Sequence, residues 1–157
     1  MIIREIIKSD NKEIAEVIRK VLIELEVPKV GTAYADPQLD TMFETYQEPK
    51  SAYFVIESDG KIIGGGGIGN LRNEENTCEL QKMYFLPEAR GKGLGTALIN
   101  KCLETAKSFG YEKCYLETMP NMHAAQKLYK KSGFEYLCEP KGETGHTSCP
   151  VWMITNI

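Results

Sequence analysis

Three glycines and two cations stand together in Arg90-Gly91-Lys92-Gly93-Leu94-Gly95, between a strand that ends at Pro87 and the first residues of a helical apolar stripe. Bare backbone N–H groups at a helix start attract anions, and glycines let a phosphate come close. Arg90 and Lys92 add positive charge. The context favours a ligand with two phosphates, although a plain turn between strand and helix fits the glycines equally well. The G-x-x-x-x-G-K-[ST] loop of nucleotide hydrolases is absent, with Gly93 where Ser or Thr is needed. No carboxylate pair for Mg²⁺ stands beside Gly93.

A second run, Gly64-Gly65-Gly66-Gly67-Ile68-Gly69, spells G-x-G-x-x-G. A dinucleotide site requires that motif to open a helix, and residues 70–76 have no apolar helical face. Glycines inside a strand more often mark a bulge or the close approach of another backbone, which is the expectation here.

The remaining reactive side chains are scattered. Glu79 and Glu117 are carboxylates on strands, and a half-buried Glu acquires a pKa nearer neutrality, as a base requires. Strand alternation puts Glu79, Gln81 and Met83 on one face and Leu80, Lys82 and Tyr84 on the other. His123 and His146 belong to no ligand-spaced cluster, so no metal site is expected. Cys149 lacks a His and acid partner and reads as a packed or edge-strand thiol rather than a nucleophile.

The elements that must position these groups follow from periodicity and turn signals. Residues 2–7 form a strand, and Asp10 with Glu13 makes a capping box for a helix with stripe Ile14, Val17, Ile18, Val21 and Leu25. Asp36-Pro37 opens a second helix with Leu39, Met42, Phe43 and Tyr46 on its apolar face. Strands at 51–57 and 61–68 flank an Asp59-Gly60 hairpin turn, and a third runs over 77–86. A helix follows the Arg90–Gly95 run, with Leu94, Leu98, Cys102, Ala106 and Phe109 on one face. A strand at 113–118, a short helix capped by Asn121, and strands at 134–138 and 150–155 complete the chain. The order β-α-α-β-β-β-α-β-α-β-β predicts one α+β sheet with helices on its faces.

Composition bounds the rest. The 157 residues fit one domain, spanning 1–157, since domains run roughly 100–200 residues. At 42% apolar and 26% charged the chain is neither disordered nor membrane-spanning, because its longest apolar runs fall far short of the ~18–20 residues a span needs. The start, Met1-Ile2-Ile3-Arg4-Glu5, lacks the basic and apolar regions of a signal peptide. Five cysteines without C-x-x-C spacing read as reduced thiols, and a cytoplasmic location is expected. A net charge of −3 argues against a general nucleic-acid binder, and no membrane partner is expected.

Residues 80–95, from Leu80 through Pro87-Glu88 to Gly95, resemble the acetyl-CoA signature of the GNAT-type N-acetyltransferases. Arg90, Gly93 and Gly95 occupy the specified positions of that family's [QR]-x-x-G-x-[GA] pattern. Downstream, Asn121, Ala124, Ala125, Tyr129, Gly133 and Phe134 resemble its N-x-x-A-x-x-x-Y-x-x-x-G-F segment, and together the matches cover roughly residues 77–137. The resemblance implies the acyl-CoA N-acyltransferase fold: a single mixed, largely antiparallel twisted sheet of about seven strands, helices on both faces, splayed at the cofactor cleft.

It also implies acetyl transfer from acetyl-CoA, as co-substrate, to a primary amine by direct attack in a ternary complex, with no metal. Met83, Tyr84 and Phe85 would hold the pantetheine arm through their backbone. Arg90, Gly91, Lys92, Gly93, Leu94, Gly95 and Thr96 would cradle the pyrophosphate. Asn121 would bond the pantetheine, with Ala124 beside it, at the splay between the strands at 77–86 and 113–118. A splayed-strand N–H such as that of Phe85 would face the oxyanion. Tyr129 matches the tyrosine placed near the departing sulfur, as acid or as a packing residue beside Ala125. Glu79 resembles a base position of some family members; a surface carboxylate paired with Lys82 or a neighbour is the other reading. Tyr34, Asp36, Tyr46 and the loop at 143–146 fall where the family varies its acceptor contacts, and the acidic set suggests a cationic amine. A small-molecule acceptor is expected, with a protein amine and a monomer or homodimer left open. The alternative from another class is a CoA-binding sensor or interaction protein on the same fold.

Overall fold

The structure, a computed structural model, describes residues 1–145 and 149–157. In chain order the elements are β1 (Ile2–Glu5), α1 (Asn11–Glu24), α2 (Met42–Thr45), β2 (Ala52–Ser58), β3 (Lys61–Asn70), β4 (Thr77–Phe85), α3 (Leu94–Ser108), β5 (Lys113–Thr118), α4 (His123–Lys131), β6 (Glu135–Leu137) and β7 (Val151–Asn156). The strands make one sheet in the order β1-β2-β3-β4-β5-β7-β6. Every neighbouring pair is antiparallel except β4 and β5, which are parallel. This is the single α+β sheet that the element order predicted, mixed and largely antiparallel as the family resemblance implied.

Helices cover both faces. The α1 stripe of Ile14, Val17, Ile18 and Val21 is buried, as its spacing requires, while Leu25 is only partly so. Arg19 ties α1 to Asp40 of the next segment, and that segment lays the Tyr46 ring against Tyr53 of β2 at 5.1 Å. On the opposite face, Leu98 of α3 and Met83 fill the space beside Gly66, and Lys101 lies over the Phe54 ring.

Two capping expectations give way to other partners, and one helix is shorter than its apolar stripe implied. Asp10 makes no capping bond to α1 and Glu13 closes no box. The fork of Arg4 takes both Asp10 oxygens at 2.8 and 3.0 Å, and Glu13 accepts the Ile62 N–H at 3.0 Å. A bidentate charge-assisted pair outweighs a neutral cap. Asp36 does cap its segment, accepting the Gln38 N–H at 2.9 Å. The chain there winds as a 3-10 helix over Pro37–Thr41 and only one α turn, because Thr41 leaves the helical region. Asn121 does not cap α4, which starts at His123 behind Met122; its amide donates instead to the Leu25 carbonyl at the end of α1.

The glycine run of β3 is strand architecture. A Cβ on Gly65 would lie 2.8 Å from the Tyr53 ring, and one on Gly67 2.4 Å from the Ala52 carbonyl and 2.6 Å from the same ring. Removing those side chains lets Tyr53 lie across β3 and donate its hydroxyl to the Lys82 carbonyl at 2.7 Å. Lys82 is the site of a bulge. Gly65 pairs with Tyr84 and Gly67 with Gln81, so Lys82 and Met83 together oppose Gly66, and Lys82 has φ +49°. A bulge reverses the strand's alternation beyond it. The expected facing is therefore corrected: Lys82 joins Glu79 and Gln81, with its ammonium 3.1 Å from Asp36, while Met83 turns to the α3 face.

The bulge coincides with the opening of the sheet. Strands β4 and β5 pair only at Thr77 with Lys113, Cys78 with Cys114 and Glu79 with Tyr115. Beyond Glu79 they part, leaving this residue at the last rung before the gap.

Candidate active site

Three cavities run end to end through that gap. A cleft of about 480 Å³ lies between the start of α3 and the start of α4. A narrow passage of about 40 Å³ occupies the splay, walled by residues of β4 on one side and by Leu116, Glu117 and Thr118 on the other. A polar pocket of about 800 Å³ opens beyond, between the segment before α2 and the loop at 143–145. Tyr84 and Tyr129 line both the cleft and the passage; Glu79 and Gln81 line both the passage and the pocket.

The cleft gathers almost all the residues assigned to the cofactor. Met83, Tyr84, Phe85, Arg90, Gly91, Gly93, Leu94, Gly95 and Thr96 line it from one side, and Asn121, Ala124 and Tyr129 from the other. Lys92 is exposed and is not among the residues that line the cleft. Arg90 reaches the rim, but its guanidinium is engaged. It donates to the Phe85 carbonyl at 3.0 Å and forks onto Glu24 of α1 at 2.7 and 3.2 Å, so its charge is largely offset. The N–H groups of the α3 start and the ammonium of Lys131 on α4 then supply the positive end of the cleft. Gly91 and Gly93 have φ of +73° and +75°, and a Cβ on either would meet nothing within 4 Å. No carboxylate lines this cleft among the described residues. An open glycine cradle at the N-terminus of a fifteen-residue helix, without acidic groups, fits a diphosphate.

On the strand side, the Leu86 N–H bonds the Ile63 carbonyl at 2.8 Å. The next pair, Phe85 with Gly64, is thus of the non-hydrogen-bonded type, and the Phe85 N–H points away from β3 toward the gap.

Tyr129 is 7% exposed, with its ring edge-on to Phe134 at 6.0 Å. Burial pushes its phenol well above the ordinary value, so it is a protonated donor at neutral pH. Among the described residues its hydroxyl has no hydrogen-bond partner, yet none of their buried side-chain polar atoms is unpaired. The hydroxyl is therefore open to the cavity it lines.

Glu79 is 5% exposed, and burial raises its carboxyl to about 7. Its Oε1 accepts from Gln81 Nε2 at 2.6 Å, and Gln81 Oε1 accepts from the Tyr46 hydroxyl at 2.6 Å. Lys82 is paired with Asp36, so the alternative surface pair for Glu79 does not form. The other strand carboxylate, Glu117, is fastened by the hydroxyls of Tyr115 and Thr144, each at 2.7 Å. Cys149 lines the passage with its thiol pushed up to about 11 by burial, an inert setting for a nucleophile.

Of the residues expected around an acceptor, Asp36, Tyr46 and Glu143 line the pocket, while Tyr34 stands outside it under Lys29. His146 lies outside the described residues. Gln81 and the Tyr84 side chain are functional neighbours that sequence reasoning passed over. The signal for Gln81 was its i, i+2 spacing from Glu79, which puts both on one strand face.

The chain matches the acetyltransferase (GNAT) family over residues 19–134. It is 43% identical to the uncharacterized N-acetyltransferase YjgM of Escherichia coli over 99% of this chain and 95% of that protein. Among solved structures, a GNAT-family acetyltransferase of Staphylococcus aureus superposes with a TM-score of 0.87 at 22% identity, covering 99% and 98% of the two chains. A phosphinothricin acetyltransferase from Sinorhizobium meliloti, in complex with AcCoA, gives 0.77 at 21% identity over 99% and 88%. The chain belongs to the GNAT family of acetyltransferases, enzymes that use acetyl-CoA. Among the described residues no helix is long and apolar enough to cross a membrane.

Proposed function

We propose that this enzyme transfers the acetyl group of acetyl-CoA to the primary amine of a small polar molecule by direct attack in a ternary complex. The observation that carries the reading is the continuity of the three cavities, with Tyr129 at the cofactor junction and Glu79 at the acceptor junction. Acetyl-CoA supplies an activated thioester. The amides of residues 91–96 and the Asn121 side chain hold its phosphates and arm, and the outward N–H groups of β4 align the arm as an added strand.

Glu79 takes the proton of the incoming ammonium, since an amine with a solution pKa near ~10 attacks only when deprotonated. A base near 7 is ionised often enough at neutral pH to do so. The Phe85 N–H faces the charge that builds on the acetyl oxygen. Tyr129 gives its proton to the departing sulfur, and a hydroxyl with no competing partner is suited to that task. The acceptor pocket is walled by Thr32, Gln38, Ser51 and the carboxylates of Glu48 and Glu143, with Arg72 as the cation that lines it among the described residues and Asp36 already engaged by Lys82. This balance supports a polar, cationic small amine.

The test is CoA thiol release with a panel of amines. Native protein should release thiol with at least one small amine, with kcat/KM rising through about pH 7 as Glu79 loses its proton. Tyr129→Phe should lower kcat by about 100-fold with acetyl-CoA binding intact. Equal rates in the two proteins remove Tyr129 as the acid, and no release with any small amine while CoA binds overturns the acceptor class.

A further inference from the structure

The acceptor side of the passage holds a hydrogen-bonded chain that the roles above do not use. Tyr46, just past α2, donates to Gln81 Oε1, and Gln81 Nε2 donates to Glu79 Oε1, each at 2.6 Å. Tyr46 and Glu79 are both buried, at 5% exposure each. Glu79 Oε2 has no hydrogen bond among the described residues and, with none of their buried polar atoms left unpaired, it opens to the cavity. We propose that Gln81 and Tyr46 are positioning residues for Glu79: a two-bond relay that occupies one carboxylate oxygen and leaves the other facing the acceptor in both protonation states of the base. The proposal rests on the assignment of Glu79 as base.

The chemistry of the amide is the reason. When Glu79 is ionised it can only accept, so Gln81 presents its NH₂ and must itself accept from Tyr46. When the proton arrives on Oε2, Oε1 is left as the carbonyl-like oxygen and still accepts from the Gln81 NH₂, while Gln81 Oε1 still accepts from Tyr46. Either state keeps both bonds, so the base cycles without stranding a buried polar group. Other groups face Glu79 without donating to it. Lys82 on its own strand is neutralised by Asp36 from the segment before α2. Glu117 and Tyr115 on β5 are bonded to one another, with Thr144 on the far oxygen. Tyr84 and Cys149, both near Glu79, are uncharged groups whose pKa values burial raises. The relay is thus the one hydrogen bond to the ionised base among the described residues.

The experiment follows the Glu79 carboxyl by ¹³C NMR titration, alongside the pH profile of kcat/KM, in native protein, Glu79→Gln, Gln81→Leu and Tyr46→Phe. Losing a donor destabilises the ionised form, so Gln81→Leu should move the titration and the acid limb to higher pH by about one unit. Tyr46→Phe keeps its ring on Tyr53 and should move both the same way by less. The KM for acetyl-CoA should hold in both variants. Loss of the limb in Glu79→Gln, with unmoved titrations in Gln81→Leu and Tyr46→Phe, overturns the relay alone. A limb that survives Glu79→Gln overturns the base assignment and the relay with it. If Gln81→Leu fails to fold, Tyr46→Phe, which deletes one oxygen, decides.

Discussion

The two glycine runs have similar composition and opposite purposes. In β3 the missing side chains are replaced by the protein's own atoms: the Tyr53 ring covers Gly65 and Gly67, and Met83 with Leu98 occupies the space beside Gly66. At the start of α3 nothing of the protein comes within 4 Å of where a Cβ of Gly91 or Gly93 would stand. One run makes room for packing, and the other leaves open space at the cleft where the proposed cofactor would lie. They nonetheless meet, because Tyr53, admitted by the first, anchors the bulge that lies beside the gap leading from the second.

The largest effect that would break this contrast falls on Gly67. Its Cβ would meet two rigid neighbours, the Ala52 carbonyl and the Tyr53 ring, and neither is the flexible end of a side chain. Gly67→Ala should cost about 3 kcal/mol, a fall in Tm on the order of 10 °C, because strand β2 must shift. Thermal unfolding checks this; a change within a degree or two would mean that β2 yields freely and that the run is not an architectural requirement.

A smaller effect tests the link between the runs. Tyr53→Phe keeps the ring over the glycines and removes only the bond to the Lys82 carbonyl. Leaving that carbonyl unpaired should cost about 1–2 kcal/mol. Catalysis should suffer beyond stability, because Lys82, Glu79 and the gap share the bulge. Denaturant unfolding together with kcat/KM checks it. A loss of stability with unchanged kcat/KM would separate the bulge from the chemistry.

Element order and the glycine turn before α3 were legible because each rests on local signals, while the sheet class and the other residues that line the cleft came through the family resemblance. The Leu94, Leu98 and Cys102 stripe, the Asp59-Gly60 turn and the glycines before α3 report themselves within a few residues. What was not legible depended on residues distant in the chain. Asp10 was claimed by Arg4 rather than by its own helix, and Asn121 by Leu25. The facing of Lys82 and Met83 was misread because alternation assumes an unbroken strand. The cause of the break lies in β3 and in Tyr53, about 15–30 residues away. The same limit hid Gln81, whose meaning depends on Tyr46.

The smallest expected change in stability is at Gly93, where the contrast is sharpest. With φ of +75° and open space around it, an alanine there meets no atom but strains the backbone. Gly93→Ala should cost only about 1 kcal/mol, below either β-strand substitution. Gly93 lines the cleft at the α3 start, and a side chain there would take space that the proposed phosphate site needs. Affinity for CoA should therefore fall by about tenfold or more, while Gly67→Ala, held at a temperature where it stays folded, should bind CoA within a few-fold of native. Calorimetric titration of the two variants yields two rank orders, stability and affinity. They should be reversed, and matching orders would show that both runs serve packing alone.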